Sequence, residues 1–257
     1  MKKKLITCLD VRNGQLTKGV KFENNQDLGD PIEAAKKYNA DGIDEVVVYD
    51  FSASTEGRNT QLDTVEGVAK VINVPLTVGG GIKNLEDCRR LIKAGAHKLS
   101  INTAAVRSPK LLAEMTKEFG RKAVVLAMDV LAVGKSANIP SGYEVYLNMG
   151  KEPTGIDAVE WAKRHEANCN EIVVNSIDAD GTRDGFHIPS TRAIARAVNI
   201  PIIASGGGGT IQHIYDVLTK GEAGVALVAS MLHYGTYTVP QIREGLAALG
   251  LPQINNK

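Results

Sequence analysis

The chain lacks most features that mark secreted, membrane-spanning or zinc-binding proteins. It has only three cysteines in 257 residues, and Cys8, Cys88 and Cys169 are widely spaced. This odd, scattered set predicts reduced thiols rather than a disulfide framework or a zinc site. No apolar run approaches the roughly 18 residues of a membrane span, and the N-terminus lacks the apolar stretch of a signal peptide. A cytoplasmic protein is therefore expected.

Histidine and excess charge of either sign are also scarce. The five histidines fall at no spacing that metal ligands need, so neither a metal nor another cofactor is expected. Asp178–Gly181 resembles the start of a calcium loop, but the later glutamate of that loop is missing. A formal net charge of +1 gives no reason to expect bulk attraction to nucleic acid or a membrane. Any phosphate binding must therefore be local.

What the chain does contain is a long internal repeat. Three segments recur, two of them 126 residues later and one 119 residues later: Glu45–Val48 as Glu171–Val174, Pro75–Gly81 as Pro201–Gly207, and Leu9–Val11 as Met128–Val130. A period this long is half of a large fold and not a solenoid unit. Two equivalent aspartates and two glycine runs suggest a ligand with a phosphate at each end.

Short β-branched runs alternate with amphipathic stretches along the whole chain. The predicted strands are Leu5–Leu9, Glu45–Asp50, Pro75–Val78, Lys98–Ile101, Ala123–Met128, Glu171–Asn175, Pro201–Ala204 and Gly224–Val228. The predicted helices are Pro31–Tyr38, Asp63–Ile72, Leu85–Ala94, Pro109–Phe119, Asp157–Glu166, Thr191–Ala197, Ile211–Thr219 and Val239–Leu249. Eight such units with twofold repetition favour a closed (β/α)₈ TIM barrel of two similar halves over an open doubly wound sheet. Residues 1–257 are expected to form this one domain.

Two connections are long, Arg12–Asp30 after the first strand and Val130–Gly155 after the fifth. The second contains an alternating run, Tyr143–Asn148, that predicts a small hairpin. In a barrel both connections would lie at the catalytic face.

Two aspartates are the leading candidates for catalysis. Asp10 ends the first predicted strand and Asp129 the fifth, and these strands lie opposite each other in a barrel. Such a pair suits general acid–base chemistry, in which one carboxyl donates a proton while the other removes one. The alternative is that either aspartate caps the next segment or pairs with Lys18 or a loop arginine.

Two matching sets of small residues predict phosphate binding. Gly79–Gly81 and Asn102-Thr103 follow the third and fourth strands, and Gly206–Gly209 and Ala229-Ser230 follow the seventh and eighth. Glycine lets the backbone approach a ligand closely, and amide groups at a helix start hold an anion. A single glycine run would more often be only a turn.

A third set lies at the starts of strands, with charges of alternating sign: Lys4, Glu45, Lys98 and Glu171. Buried charges are costly unless paired, so the four are expected to interact. The residues alone leave open whether this ring is a structural plug or has a function.

These motifs together resemble the cyclase subunits of imidazole glycerol phosphate synthase, from histidine biosynthesis. The resemblance covers essentially the whole chain and rests on Cys8–Val11, Lys18–Val20, Leu76–Ile82, Ser100–Ala105, Thr154–Ala158, Asp178–Thr182 and Ala204–Gly207. It implies a lyase that adds ammonia to a ribulosyl formimino carboxamide ribonucleotide carrying two phosphates. The implied products are imidazole glycerol phosphate and an aminoimidazole carboxamide ribonucleotide.

The resemblance also implies a role for each candidate residue. Asp10 and Asp129 match the acid–base pair, Asp50 and Asp180 accessory carboxylates, and Lys18 a loop lysine near the substrate. The residues that match the two phosphate sites are Gly81, Asn102 and Thr103 for one, and Gly206, Gly207, Ala229 and Ser230 for the other. Lys4, Glu45, Lys98 and Glu171 match a gate for ammonia that arrives through the barrel from a glutaminase partner in a heterodimer.

Several positions depart from the family pattern. Asn175 stands where threonine is usual, Gly208 where alanine is expected, Tyr49, Phe51 and Ser52 alter the segment around Asp50, and the loop from Asp129 to Thr154 is longer. Two other functions remain open. One is the related barrel isomerase of the same pathway, against which stand Lys18–Val20, Asn102–Ala105 and the charge ring. The other is a catalytically silent, bisphosphate-binding regulator of a glutaminase, against which both retained aspartates argue.

Overall fold

The computed structural model describes residues 2–20, 23–50, 60 and 62–251, with the backbone alone at 18, 20 and 23–25. Within these ranges the strands are β1 (Lys4–Arg12), β2 (Gln15–Val20), β3 (Glu23–Gly29), β4 (Val46–Asp50), β5 (Leu76–Gly79), β6 (Lys98–Ile101), β7 (Val124–Ala132), β8 (Tyr143–Leu147), β9 (Glu152–Asp157), β10 (Glu171–Ser176), β11 (Ile202–Ser205) and β12 (Val225–Val228). The helices are α1 (Pro31–Ala40), α2 (Leu62–Val71), α3 (Leu85–Lys93), α4 (Thr103–Arg107), α5 (Leu111–Phe119), α6 (Ala158–His165), α7 (Ile188–Ala195), α8 (Ile211–Thr219), α9 (Ser230–His233) and α10 (Val239–Ala248).

Eight parallel strands close into a barrel in the order β1-β4-β5-β6-β7-β10-β11-β12, with β12 pairing again with β1. Helices lie between successive strands, so the predicted (β/α)₈ TIM barrel is confirmed. The strands follow the predicted ones closely, except that β1 and β7 extend past Leu9 and Met128. Their extra residues pair with the antiparallel strands β2 and β8.

Two hairpins stand on the rim where the barrel strands end. Strands β2 and β3 follow β1, and strands β8 and β9 follow β7, so the two halves of the repeat carry matching additions. The second hairpin was predicted from Tyr143–Asn148 and is confirmed. The first was not, because its second strand, Glu23–Gly29, is mostly polar and gives no apolar alternation.

The core has two parts on the two faces of the barrel wall. Outward-facing strand residues such as Leu5, Leu9 and Val48 pack beneath the helices. Inward-facing residues fill the barrel interior with a second apolar cluster of Ile6, Cys8, Val47, Val125, Val173, Ile203, Val225, Leu227 and Ala229. This alternation follows from the period of two along each strand. The interior is therefore packed with side chains, and in such a barrel the space for a ligand is expected at an end.

Several helices begin where a side chain caps the first turn. Asp30, Asn84, Asp157, Thr210 and Thr238 each accept a hydrogen bond from a backbone amide of the following helix. Two short helices, α4 and α9, were not predicted, and they occupy corresponding places after β6 and β12.

Two features are absent from the described residues, a membrane-spanning helix and a metal-binding cluster. No helix there has the length and apolarity to cross a membrane. No group of three or more His, Cys, Asp or Glu side chains there is placed to hold a metal ion.

Candidate active site

A cavity of about 190 Å³ opens at the carboxyl ends of the barrel strands. Asp10 on β1 and Asp129 on β7 both line it. The two strands stand four apart in the ring of eight, so the aspartates approach the cavity from opposite walls. One small molecule in this cavity would therefore meet both side chains.

The carboxyl group of Asp129 is held by two side-chain amides. Asn175 Nδ2 donates to its Oδ1 at 3.1 Å, and Asn102 Nδ2 donates to its Oδ2 at 3.0 Å. The pKa of Asp129 is raised to about 6, mainly by burial and also by the charge of Asp180, although the hydrogen bonds from the two amides oppose the shift. A carboxyl group with this pKa gains and loses a proton close to neutral pH, as a general acid or base must.

Two glycines at equivalent positions of the repeat let the loops after β5 and β11 pass close to neighbouring backbone. Gly80 has φ +89°, and an added Cβ would lie 2.1 Å from the carbonyl oxygen of Asp50. Gly206 also has φ +89°, and its Cβ would lie 2.9 Å from the carbonyl oxygen of Ser176. Only glycine adopts this conformation freely and leaves the space. The two halves of the chain therefore build the same loop twice.

The predicted phosphate residues gather in two adjoining recesses. The first is the cavity itself, which Gly81, Asn102 and Thr103 line together with the aspartates. The second, of about 30 Å³, is lined by Gly206, Gly207, Ala229 and Ser230 among others. Cys8, Asp180 and Ser205 line both recesses, so the two are continuous. Two continuous recesses, each with a glycine loop in its lining, suit a ligand with an anionic group at each end.

The other predicted carboxylates have different places. Asp180 lines both recesses. Asp50 is only 1% exposed and, among the described lining residues, belongs to neither recess. The side chain of Lys18 lies outside the described part of the chain, although its backbone belongs to β2 and its neighbour Gly19 lines the cavity.

The predicted charge ring forms at the end of the barrel where the strands begin, which we call the lower end. Lys98 Nζ lies 2.7 Å from Glu45 Oε2 and 2.6 Å from Glu171 Oε2. Thr77 donates a further hydrogen bond of 2.5 Å to Glu45. Burial disfavours the charge of Lys98, but the two glutamates outweigh burial and raise its pKa. Lys4 makes no ion pair with any described residue, so the expected interaction holds for three of the four.

Known proteins of one family are similar to the chain along nearly its whole length. A family profile described as "Histidine biosynthesis protein" matches residues 4–238. The proteins named imidazole glycerol phosphate synthase subunit HisF from Nitratidesulfovibrio vulgaris and Desulfovibrio desulfuricans are each 51% identical to the chain over 97% of both lengths. The protein of the same name from Oleidesulfovibrio alaskensis is 50% identical, with the same coverage. The chain belongs to the HisF family. The resemblance inferred from its motifs is thereby confirmed.

Two departures from the HisF pattern have a structural explanation here. Asn175, where threonine is usual, supplies one of the two amides that hold Asp129. At Gly208, where alanine is expected, an added Cβ would lie 2.8 Å from the Phe186 ring. The ring thus fills the space of the missing methyl group.

The sequence did not point to Tyr49, Ser100 or Asn175 as contacts within the HisF site. Tyr49 and Ser100 line the cavity, with 3.2 Å between their hydroxyl oxygens, and burial raises the pKa of Tyr49. The internal repeat could have indicated two of these residues, since Tyr49 and Asn175 occupy equivalent positions 126 residues apart. Each lies beside one of the two aspartates in the strand register, Tyr49 opposite Asp10 and Asn175 opposite Asp129.

Proposed function

We propose that the chain is the cyclase subunit of imidazole glycerol phosphate synthase. It would use ammonia to convert a ribulosyl formimino carboxamide ribonucleotide into imidazole glycerol phosphate and an aminoimidazole carboxamide ribonucleotide. One observation carries the proposal: Asp10 and Asp129 share a cavity that continues into a second recess built by the other half of the repeat.

The geometry supports binding of a substrate with two phosphates. Gly81, Asn102 and Thr103 would hold one phosphate, and Gly206, Gly207, Ala229 and Ser230 the other. With both ends held, the central part of the molecule lies between the two aspartates. Fixing the substrate in this way supplies much of the rate enhancement for a cyclisation.

The aspartates would then act as the acid–base pair. Ring closure and cleavage both require a proton to be delivered to one atom and removed from another. Asp129 suits either task because burial has raised its pKa to about 6. Asp10 faces the same cavity from the opposite wall. Asp180, at the junction of the two recesses, would orient the substrate.

The partner is part of the proposal. The relatives are named as subunits of a synthase, and we infer a heterodimer with a glutaminase that supplies ammonia. The ion pairs of Lys98 with Glu45 and Glu171 close the lower end, opposite the cavity. Ammonia would enter there and travel through the barrel, with Lys4, Glu45, Lys98 and Glu171 as its gate.

Ammonia-dependent turnover tests the function. The purified chain should convert the ribulosyl substrate with ammonium salts alone, giving both products in equal amounts. Asp10→Asn and Asp129→Asn should each lower turnover by roughly 10² or more, the usual contribution of a general acid or base. Asp63→Asn, at an exposed position of α2, is the matched control and should change little.

Other outcomes separate the alternatives. A chain that leaves the ribulosyl substrate uncleaved but interconverts an aldose and a ketose would be the isomerase. A chain without turnover that still stimulates a glutaminase would be a regulator. An unchanged rate in either cavity aspartate variant would remove that aspartate from the mechanism.

A further inference from the structure

One arginine lies at the second recess, directly after the family motif Asp178–Thr182. Arg183 lines this recess together with Gly206, Gly207 and Ser230. It also lines an adjoining outer cavity of about 330 Å³, which extends to Tyr234, just after α9, and to Gly19 on the β2–β3 hairpin. Of the described residues that line the second recess, Arg183 is the one with a cationic side chain.

The guanidinium group of Arg183 has an aromatic neighbour and, among the described residues, no acidic one. Its Cζ lies 5.6 Å from the centre of the Tyr234 ring, within the range of a cation–π interaction. No carboxylate of the described residues lies within 4 Å of its nitrogen atoms, whereas ion pairs engage many other arginines of the chain. Tyr234 is itself 46% exposed, an unusual position for a large aromatic side chain. The positive charge at the recess is therefore left for a ligand to neutralise.

The backbone holds Arg183 in this place. Its φ of +64° is uncommon for a residue other than glycine, asparagine or aspartate. Its carbonyl oxygen lies so close to Gly209 that an added Cβ there would approach to 2.1 Å. Gly185 N–H donates to the Gly207 carbonyl at 2.8 Å, which fastens the two loops together. A strained conformation that neighbouring residues fix in this way often belongs to a functional site.

We propose that Arg183 binds the phosphate in the second recess and that Tyr234 is its positioning residue. The ligand class is a phosphate monoester dianion, which the forked guanidinium group binds through paired hydrogen bonds. The glycine loop supplies backbone amides from one side, and Arg183 supplies charge from the other. The assignment of this anion to one end of the substrate rests on the proposed function.

Steady-state kinetics with ammonia test the proposal. Arg183→Asn removes the charge and suits the backbone, because asparagine tolerates positive φ. It should raise the KM for the bisphosphate substrate roughly 10- to 100-fold, the range expected for loss of a charge-assisted hydrogen bond, with kcat within about threefold of the parent. Arg183→Lys should lie between, because lysine keeps the charge but not the fork.

Tyr234 and a second arginine provide the controls. Tyr234→Leu should raise KM by less than Arg183→Asn does, and Tyr234→Phe, which keeps the aromatic face, should raise KM by less than Tyr234→Leu. Arg164, which lies 5.7 Å from the Trp161 ring away from both recesses, is the matched cation–π control. Arg164→Asn should have the KM of the parent. A KM of Arg183→Asn equal to that of the parent would overturn the proposal.

Thermal unfolding separates this inference from the proposed function. Inorganic phosphate should raise the melting temperature of the parent more than that of Arg183→Asn, whether or not the chain turns over the substrate. If the parent lacks cyclase activity but shows this difference, the proposed function fails and the anion site stands. If the parent is an active cyclase and phosphate stabilises both proteins equally, the function stands and the role of Arg183 is wrong.

Discussion

Asn175→Leu should shift the pH dependence of catalysis. In the parent, Asn175 Nδ2 donates to Asp129 Oδ1 at 3.1 Å and thereby favours the ionised carboxylate. Leucine has a similar size but no donor. A hydrogen bond to a charged group contributes about 1.5–3 kcal/mol, and about 1.4 kcal/mol corresponds to one pKa unit. The pKa of Asp129 should therefore rise from about 6 by roughly one to two units.

The assay is kcat/KM from pH 5 to 9, with the concentration of unprotonated ammonia held constant. The parent should show a limb near pH 6, and the variant should show the same limb moved to higher pH. If Asp129 acts as a base, the variant loses rate at pH 7, since more of the carboxyl group is protonated. If it acts as an acid, the variant gains rate at that pH.

Asn175→Thr is the matched control, because a hydroxyl group can still donate to the carboxylate. Its limb should move less than that of Asn175→Leu. A limb that stays near pH 6 in Asn175→Leu would contradict this prediction. Either the group that titrates would not be Asp129, or its amide contact would not stabilise the ionised form.

Other parts of the molecule support three further predictions. Lys98→Ala should lower glutamine-dependent activity more than ammonia-dependent activity, because it breaks the ion pairs that close the lower end; a proportional fall in both would contradict the gate. His165 is 5% exposed, and neither of its ring nitrogens has a hydrogen-bond partner among the described residues. Burial lowers the pKa of His165, so protonation of its ring opposes folding below about pH 6.5. In denaturant titrations, the free energy of unfolding of His165→Leu minus that of the parent should therefore be larger at pH 5.5 than at pH 7.5. An equal difference at both pH values would count against this. Gly80→Ala should lower the free energy of unfolding by more than Gly120→Ala, which shares positive φ but has open space and should cost about 1–3 kcal/mol for backbone strain alone; equal losses would show that the contact with the Asp50 backbone is unimportant.

The barrel was predictable because its strands are apolar runs of the right length and because the sequence repeats. Asp10 and Asp129 could be paired from the sequence alone, since equivalent residues of two half-barrels end opposite strands. The glycine loops followed from the same symmetry. These features depend on local pattern and on barrel topology alone, and both leave a clear mark in the sequence.

Other features depend on contacts that local pattern does not encode. The amide of Asn175 reaches Asp129 only because β7 and β10 pair in one register, which closes the barrel. Asp50 and Ser176 occupy equivalent positions of the repeat, each with its backbone against a loop glycine. Asp50 is buried and, among the described lining residues, belongs to neither recess. Lys4 lies at the lower end with the charge ring, but the sequence pattern does not predict its ion pairing. That pairing depends on the direction in which its long, flexible side chain extends.

One substrate is expected to span both recesses, with its reacting centre between the two aspartates. A crystal structure of the Asp129→Asn variant with the bisphosphate substrate bound tests it most directly. One phosphate should lie beside Gly81 and Thr103 and the other beside Gly207 and Ser230, with Asp10 within hydrogen-bonding distance of the central part of the molecule. Two phosphates on the same side of the cavity, or a substrate bound away from Asp10, would contradict it.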